Sequence, residues 1–489
     1  MILEGKVKIL KITVDKMMFM ILFLVGFLGL VFYSNQTIMN AVIAIECLIL
    51  IYCFLSRKNE YFICFLLGFI TMSQEFSYFL ENGSGTVDLY SFKETRIFGL
   101  NLALIFVSLF FLKILLFDNA INIVRNSKQG FRLLKWLFII SFSAFVIGFI
   151  NILINNNGIA NLPNVWKEFL QESSYGFYVS FLAFELIYVI VCNGFELIKK
   201  TIITIIECNL ILPLIISFMG ISGYYGGKTL YLTLSVYMLC VFIIIFAYYD
   251  LSHTYKYYVF FALCVIYPLL FKSIAFGKLL LLVAFAVVLF LYLKSKKSIT
   301  WFLGALIIFA GIFIGWGFLI DLLVKNNDLF SYKYKQIISL ISIWNPDWYD
   351  NMLPSPKVRI TELFNIILEL IKNPIYLLCG KGTLGTVKDY MGDIPLFNLS
   401  VYSYNEFSIQ SYYGMHESLN MLLLSNGLFG VAFIFYCIKV LIKNIRNNPF
   451  IVIGGVWFIV LWGYSITRAT LGIACFCLGL LMVEEGEKD

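Results

Sequence analysis

The chain has 489 residues, 61% of them hydrophobic and only 13% charged, with a formal net charge of +7. With a mean hydropathy of +0.89, this balance exceeds what one soluble core of that length could bury, and it predicts an all-α polytopic membrane protein. The basic residues fall mainly in short connections between apolar runs, with no basic patch interleaved with a stacking platform, so no nucleic acid is expected as a partner.

The N-terminal stretch carries Lys6, Lys8, Lys11 and Lys16 ahead of an apolar run, like the basic lead of a signal sequence. No small-residue cleavage site follows, and Met17 to Tyr33 reads as an uncleaved first span. Runs on the order of 20 residues, enough to cross a bilayer, follow at Asn40 to Leu55, Tyr61 to Leu80, Phe98 to Phe117, Trp136 to Ile154, Gly176 to Ile198 and Thr201 to Met219. Four more cover Thr229 to Tyr249, Tyr257 to Phe276, Lys278 to Leu293 and Thr300 to Ile320. After a long polar interval come Glu417 to Ile438, Phe450 to Ile466 and Thr470 to Val483. The sum is about 14 transmembrane helices. It divides the chain into an N-terminal bundle (1–320, about 11 spans), a large loop (321–415) and a C-terminal group (416–489, about 3 spans).

Alternate connections hold Arg57 and Lys58, Arg125 to Lys135, Lys199 and Lys200, Lys294 to Lys297, and Lys439 to Arg446, while the short connections between them hold few basic residues. This positive-inside asymmetry predicts cytoplasmic termini and an extracytoplasmic interval from Asp321 to Met415. The eleven cysteines, such as Cys47, Cys64 and Cys475, lie mostly in apolar runs and read as small core hydrophobes; only Cys379 falls in the interval.

Within the interval, Ile360 to Lys372 puts Ile360, Leu363, Phe364, Ile367, Leu370 and Ile371 on one helical face and Thr361, Glu362, Asn365, Glu369 and Lys372 largely on the other. Such an amphipathic helix lies flat on a bilayer or roofs a cavity. Trp344, Trp348, Tyr349, Tyr390, Tyr402, Tyr404, Tyr412 and Tyr413 surround it, a density that suits either an interfacial aromatic belt or stacking on sugar rings.

There is no P-loop and no grouping of residues at metal-ligand spacing, so neither cofactor nor metal is expected. Of the two histidines, His253 falls in a connection read as cytoplasmic. His416 sits where the outer interval enters a span, and it either caps that helix or accepts a proton from a hydroxyl near neutral pH. On the same side, Lys272, Lys278, Arg359, Lys381 and Arg468 either snorkel at the membrane surface or form a socket for a diphosphate. Arg359 ranks first there because its planar fork suits phosphate. The Gly380-Lys381-Gly382 element either aims backbone amides at a phosphate or makes a turn. Glu46, Glu75, Glu185 and Glu207 lie within apolar runs and are either site residues or helix-to-helix ties.

Taken in order, Arg359, a helix, Asn373-Pro374, Gly380-Lys381-Gly382, a variable polar loop, and His416-Glu417-Ser418 followed by Gly427 and Gly430, this chain resembles the O-antigen polymerase and ligase superfamily, which comprises Wzy-type polymerases and O-antigen ligases. The specific resemblance runs from Lys357 to about Gly430, and the many-span layout with one large late loop extends it loosely over the rest. It implies a metal-independent, GT-C-like glycosyltransferase of the bacterial cytoplasmic (inner) membrane, using an undecaprenyl-diphosphate-linked oligosaccharide. A polysaccharide chain-length regulator is a candidate partner.

By that resemblance His416 orients or deprotonates the acceptor hydroxyl and Arg359 holds the diphosphate. Two departures are visible. Where the family has an Arg opening an earlier outer helix end, this chain has Lys272-Ser273 and Lys278, and the usual His-Asn is His416-Glu417, so Glu417 either assists His416 or caps the helix. The leading expectation is a repeat-unit polymerase for an O-antigen or capsule. The alternatives are an O-antigen ligase that acts on lipid A-core and a flippase for lipid-linked sugars.

Overall fold

The computed structural model describes residues 2–219 apart from breaks at 33–34, 73–75, 81–82, 88–90 and 98–99, then 223–225, 228–230, a few single positions between 238 and 339, and 345–486 apart from 395–401, 447 and 464. His253, Lys272, Lys278, Glu75 and Trp344, and almost all of the four runs expected between Thr229 and Ile320, lie outside the described residues.

In chain order the N-terminal helices are α1 (Ile2–Val31), α2 (Gln36–Leu55), α3 (Asn59–Thr71), α4 (Leu102–Phe117), α5 (Ala120–Arg125), α6 (Lys128–Leu153), α7 (Val165–Asn193) and α8 (Glu196–Phe218). The later helices are α9 (Pro354–Ile371), α10 (Pro374–Cys379), α11 (Tyr404–Ile409), α12 (Ser418–Asn444), α13 (Pro449–Val460) and α14 (Ile466–Gly486). Among the described residues, α2, α6, α7, α12 and α14 are long and apolar enough to cross a membrane. The described chain is mostly helical, with three two-stranded antiparallel hairpins: β1 (Phe76–Leu80) with β2 (Gly83–Val87), β3 (Arg96–Ile97) with β4 (Leu100–Asn101), and β5 (Gly223–Tyr225) with β6 (Lys228–Leu230).

The apolar run read from Tyr61 to Leu80 therefore divides. Its helix stops at Thr71, and the aromatic stretch from Phe76 pairs instead as a strand, with Phe76 opposite Val87 and Leu80 opposite Gly83. The connection expected from Asn155 to Tyr175 is shorter than its polarity indicates, because α7 already starts at Val165.

Several helices begin on a side chain that accepts one of the otherwise orphaned first N–H groups: Asn35 from Ile38 (3.1 Å), Asn101 from Ala103 (2.8 Å), Ser127 from Gly130 (3.0 Å) and Asn448 from Phe450 (2.9 Å). Polar ties mark the two ends of the bundle. At one end Asn59 donates to Asp118 (3.2 Å), Tyr188 donates to Asp118 (3.1 Å), and Glu484 accepts from Ser127 Oγ (2.7 Å) and the Lys128 N–H (2.8 Å). The opposite end carries the hairpins, the loop between α6 and α7, and residues 345–394 and 402–416.

Candidate functional site

Residues 372–387 are anchored below the helix ends. At Gly427 (φ 57°, ψ −139°) α12 breaks, and the carbonyls of Leu424 and Ser425 accept from the N–H groups of Lys381 (2.7 Å) and Gly382 (3.0 Å). Thr383 N–H donates to the Ala144 carbonyl of α6 (2.8 Å). The contact points lie nine residues before the end of α6 and six after the start of α12, roughly 13 Å and 9 Å along helices that rise about 1.5 Å per residue. Non-helical backbone can sit at that depth only because protein groups satisfy it. A Cβ on Gly382 (φ 74°) would meet Gly148 N at 2.1 Å, so the approach requires glycine.

The Lys381 and Gly382 amides thus face α12, and the Gly380 amide donates to the Tyr376 carbonyl of α10 (2.8 Å), so of the two alternatives the element makes the turn and its amides are not aimed at a phosphate. Lys381 is turned inward as well. Its side chain is 1% exposed, and Nζ donates to the Thr386 carbonyl (2.6 Å) and to Glu369 (3.0 Å). Burial pulls the Lys381 pKa down, partly offset by Glu369. Burial alone would raise the Glu369 carboxyl, but the hydrogen bond from Tyr390, the Lys381 charge and the amide of Asn157 outweigh it and hold it below 4.5. Lys381 is a buried structural ion pair, which removes it from the expected diphosphate set.

Helix α9 starts at Pro354, where proline at N1 needs no hydrogen-bond partner, so Arg359 lies in the second turn and does not open the helix. Its buried stripe is Val358, Thr361, Glu362, Asn365, Ile366 and Leu370, at spacings of three and four. Phe364, Ile367, Leu368 and Ile371 face outward, continued by Ile375 and Leu378 of α10. Thr361, Glu362 and Asn365, expected on the face opposite the apolar one, point inward together with the apolar Val358, Ile366 and Leu370. Each inward polar group is met: Asn365 Nδ2 donates to Asp389 (3.0 Å), Tyr349 Oη pairs with Thr361 Oγ1 (2.7 Å) and donates to Asp393, and Lys357 Nζ reaches Asp393 at 3.5 Å. Burial, then the bond to Asp393, pushes the Tyr349 pKa up to about 12.

His416 reaches this helix from the far end of the loop. Glu406, buried, accepts from the N–H groups of Ser403 (2.7 Å), Tyr413 (2.8 Å) and Gly414 (2.8 Å) and so shapes the approach to His416. Glu417 then forms the N-cap of α12 with extended backbone (φ −120°, ψ 144°). The fully buried Glu362 side chain meets His416 Nδ1 through Oε1, which also accepts from Tyr402 Oη (2.8 Å). Its Oε2 accepts from the His416 N–H (3.1 Å) and from Asn420 Nδ2 (3.1 Å). Asn420 Nδ2 also donates to the Arg359 carbonyl (3.1 Å). One turn before Glu362, Arg359 Nε pairs with Glu417, and both side chains stay about one-third exposed at 35% and 36%. Arg359 and His416, 57 residues apart in the chain, thus meet one locus through Glu417 and Glu362.

Arg468 lies in the first turn of α14 and is half-buried. The turn before it touches the start of α12, where Ser418 Oγ donates to the Trp462 carbonyl (3.2 Å), so Arg468 is at the same end of the bundle as His416. Lys272 and Lys278 lie outside the described residues. Of the interval's aromatics, Tyr402 and Tyr412 are buried in the loop core, while Tyr404 is 81% exposed. Glu46 and Glu185 are buried in α2 and α7, away from this locus, and Glu207 is half-buried in α8. Among the described residues no three His, Cys, Asp or Glu side chains group as metal ligands.

Glu362, Glu406 and Asn420 do not stand out in sequence as site residues. The available signal is spacing: Glu362 is one helical turn beyond Arg359, and Asn420 is four residues beyond His416. The fold and these contacts define a helical protein with several membrane-crossing helices and a polar, partly exposed site at one end. Comparison with protein-family models, curated proteins and solved structures gives no match.

Proposed function

We propose that the protein is a surface polysaccharide repeat-unit polymerase, for an O-antigen or capsule, that works at the outer face of a bacterial cytoplasmic membrane. The observation that carries this reading is the meeting of His416 and Arg359 at one end of the bundle, through Glu362 and Glu417. An imidazole and a guanidinium held at one locus by two carboxylates match a reaction that needs a proton acceptor at a hydroxyl and a cation at a departing diphosphate. The opposite end carries Arg57, Lys58, Arg125, Lys128, Lys199, Lys200, Lys443 and Arg446 and is assigned to the cytoplasm, with both termini.

In the reaction, the hydroxyl oxygen of the incoming lipid-linked unit attacks the anomeric carbon of the growing chain. A glycosidic C–O bond forms as the bond from that carbon to the diphosphate oxygen breaks. The hydroxyl proton passes to His416, and the electron pair leaves with undecaprenyl diphosphate, whose charge Arg359 neutralises. Arg468 at the same end, with Lys272 and Lys278, completes the cationic set in this reading. The outward apolar edge of α9 and α10 suits a site that a lipid-borne substrate reaches from the bilayer surface.

Chain growth from lipid-linked repeat units in vitro tests the assignment. His416→Ala and Arg359→Ala are each expected to abolish it, and undiminished growth by either variant would remove that residue from the mechanism. A deletion strain should leave single repeat units attached to the surface. Complete loss of attached glycan would move the same chemistry to ligation.

A further inference from the structure

Glu362 is 0% exposed, yet four groups converge on it: His416 Nδ1, the His416 backbone N–H, Tyr402 Oη and Asn420 Nδ2. Two of these, the backbone N–H and the amide nitrogen, can only donate. The Asn420 amide is oriented independently, because the same Nδ2 donates to the Arg359 carbonyl. Tyr402 Oη is the third donor, on Glu362 Oε1 at 2.8 Å, and burial pushes its pKa upward and keeps its proton in place. A carboxyl group addressed by three donors suits a carboxylate, and a carboxylate oxygen only accepts. The proton in the contact with His416 therefore belongs to the imidazole.

We propose that Glu362 is a positioning residue that holds His416 in the Nδ1–H tautomer and leaves Nε2 as the proton-accepting nitrogen. In a neutral imidazole one nitrogen donates and the other accepts, and the bond made by the first decides the identity of the second. Glu362 also fixes the ring's rotation, because its two oxygens hold the side chain and the backbone N–H of the same residue. Tyr402 adds an edge-on ring contact to the imidazole, with centroids 5.9 Å apart, that limits tilting. The arrangement has the logic of a carboxylate–histidine pair in hydrolytic triads, where the acid orients the base and does not itself take the proton. Tyr402 and Asn420 in turn orient Glu362. The catalytic consequence rests on the polymerase reading above; the tautomer does not.

The chain's two histidines make the test direct. Full-length protein labelled with nitrogen-15 histidine, carrying His253→Gln so that a single imidazole remains, is placed in lipid nanodiscs and its ring nitrogens are recorded by NMR above the imidazole titration. The expected spectrum has a protonated, pyrrole-type Nδ1 and a pyridine-type Nε2. A protonated Nε2, or an even mixture of tautomers, would overturn the proposal without any assay of activity.

Glu362→Gln should convert the single tautomer into a mixture. Tyr402→Phe, which keeps the ring, should do so in part and serves if Glu362→Gln fails to fold. In the chain-growth assay Glu362→Gln should lower kcat by about 10–100-fold or more with KM for the lipid-linked donor little changed, and an equal loss in both would mark a merely structural role. If the tautomer is as expected but His416→Ala polymerises normally, the function fails and the positioning stands. If His416→Ala is inactive and the tautomer is reversed, the positioning fails and the function stands.

Discussion

Replacing Gly148 with alanine sets two physical effects against each other. Inside a helix, alanine is favoured over glycine by about 1 kcal/mol, so α6 in isolation would gain. In the folded protein the new Cβ would lie 2.3 Å from Thr383 O and 2.7 Å from Thr383 N, both backbone atoms, and 3.1 Å from a ring carbon of Phe169. Backbone cannot rotate out of the way as a side chain tip can, so residues 380–383 must retreat from α6. Overpacking of this kind costs about 1–3 kcal/mol, and the Thr383-to-Ala144 bond, worth about 1 kcal/mol net, is lost with it. The balance is a net destabilisation of about 2 kcal/mol.

Thermal unfolding of the purified protein in detergent, followed by loss of monodisperse material, reads this as a Tm lower by a few degrees. Gly382→Ala should fall further, because it adds a left-handed backbone (φ 74°) to a contact of 2.1 Å. Gly29→Ala is the control, since its Cβ would meet only the tip of Met39 at 3.8 Å and should leave Tm unchanged or raised. If Gly148→Ala melts at or above the wild type, the loop does not sit between α6 and α12, and the account of the broken helix fails with it.

The Lys381–Glu369 pair gives two further outcomes. Lys381→Ala strands the Thr386 carbonyl and leaves Glu369 short of a donor, a change expected to cost about 3–5 kcal/mol, and the double variant with Glu369→Ala should be less destabilised than the two singles summed. Additive losses in that thermodynamic cycle would show that the two side chains do not interact. The pair also sets an acid limit. The folded Glu369 carboxyl lies below its ordinary 4.5, so its contribution is complete above about that pH and disappears as pH falls through the lower folded value. The wild-type Tm should therefore drop on acidification below 4.5 more steeply than that of Glu369→Gln, and identical slopes for the two proteins would count against the charge pairing.

The apolar runs that become α2, α6, α7, α12 and α14 are readable from sequence because preference for lipid is a property of each local stretch, summed over about 20 residues. The same holds for the amphipathic period of α9 and for the placing of His416 at the start of a long helix. The direction α9 faces does not follow from its period. Its Thr361, Glu362 and Asn365 are buried because Tyr349, Asp389, Tyr402 and Asn420 come to meet them, and Phe364, Ile367, Leu368 and Ile371 are left outward, where a bilayer can cover them. Lys381 and Arg359 look alike in sequence as cations of one outer loop. Only the fold separates them, by burying the first against a carboxylate that is itself mostly covered and leaving the second and its partner about one-third exposed. The union of Arg359 with His416 likewise depends on contacts between residues more than fifty apart, which no local window contains. Short-range hydropathy decided which segments are helices, and long-range hydrogen bonding among buried polar groups decided which of their residues form a site.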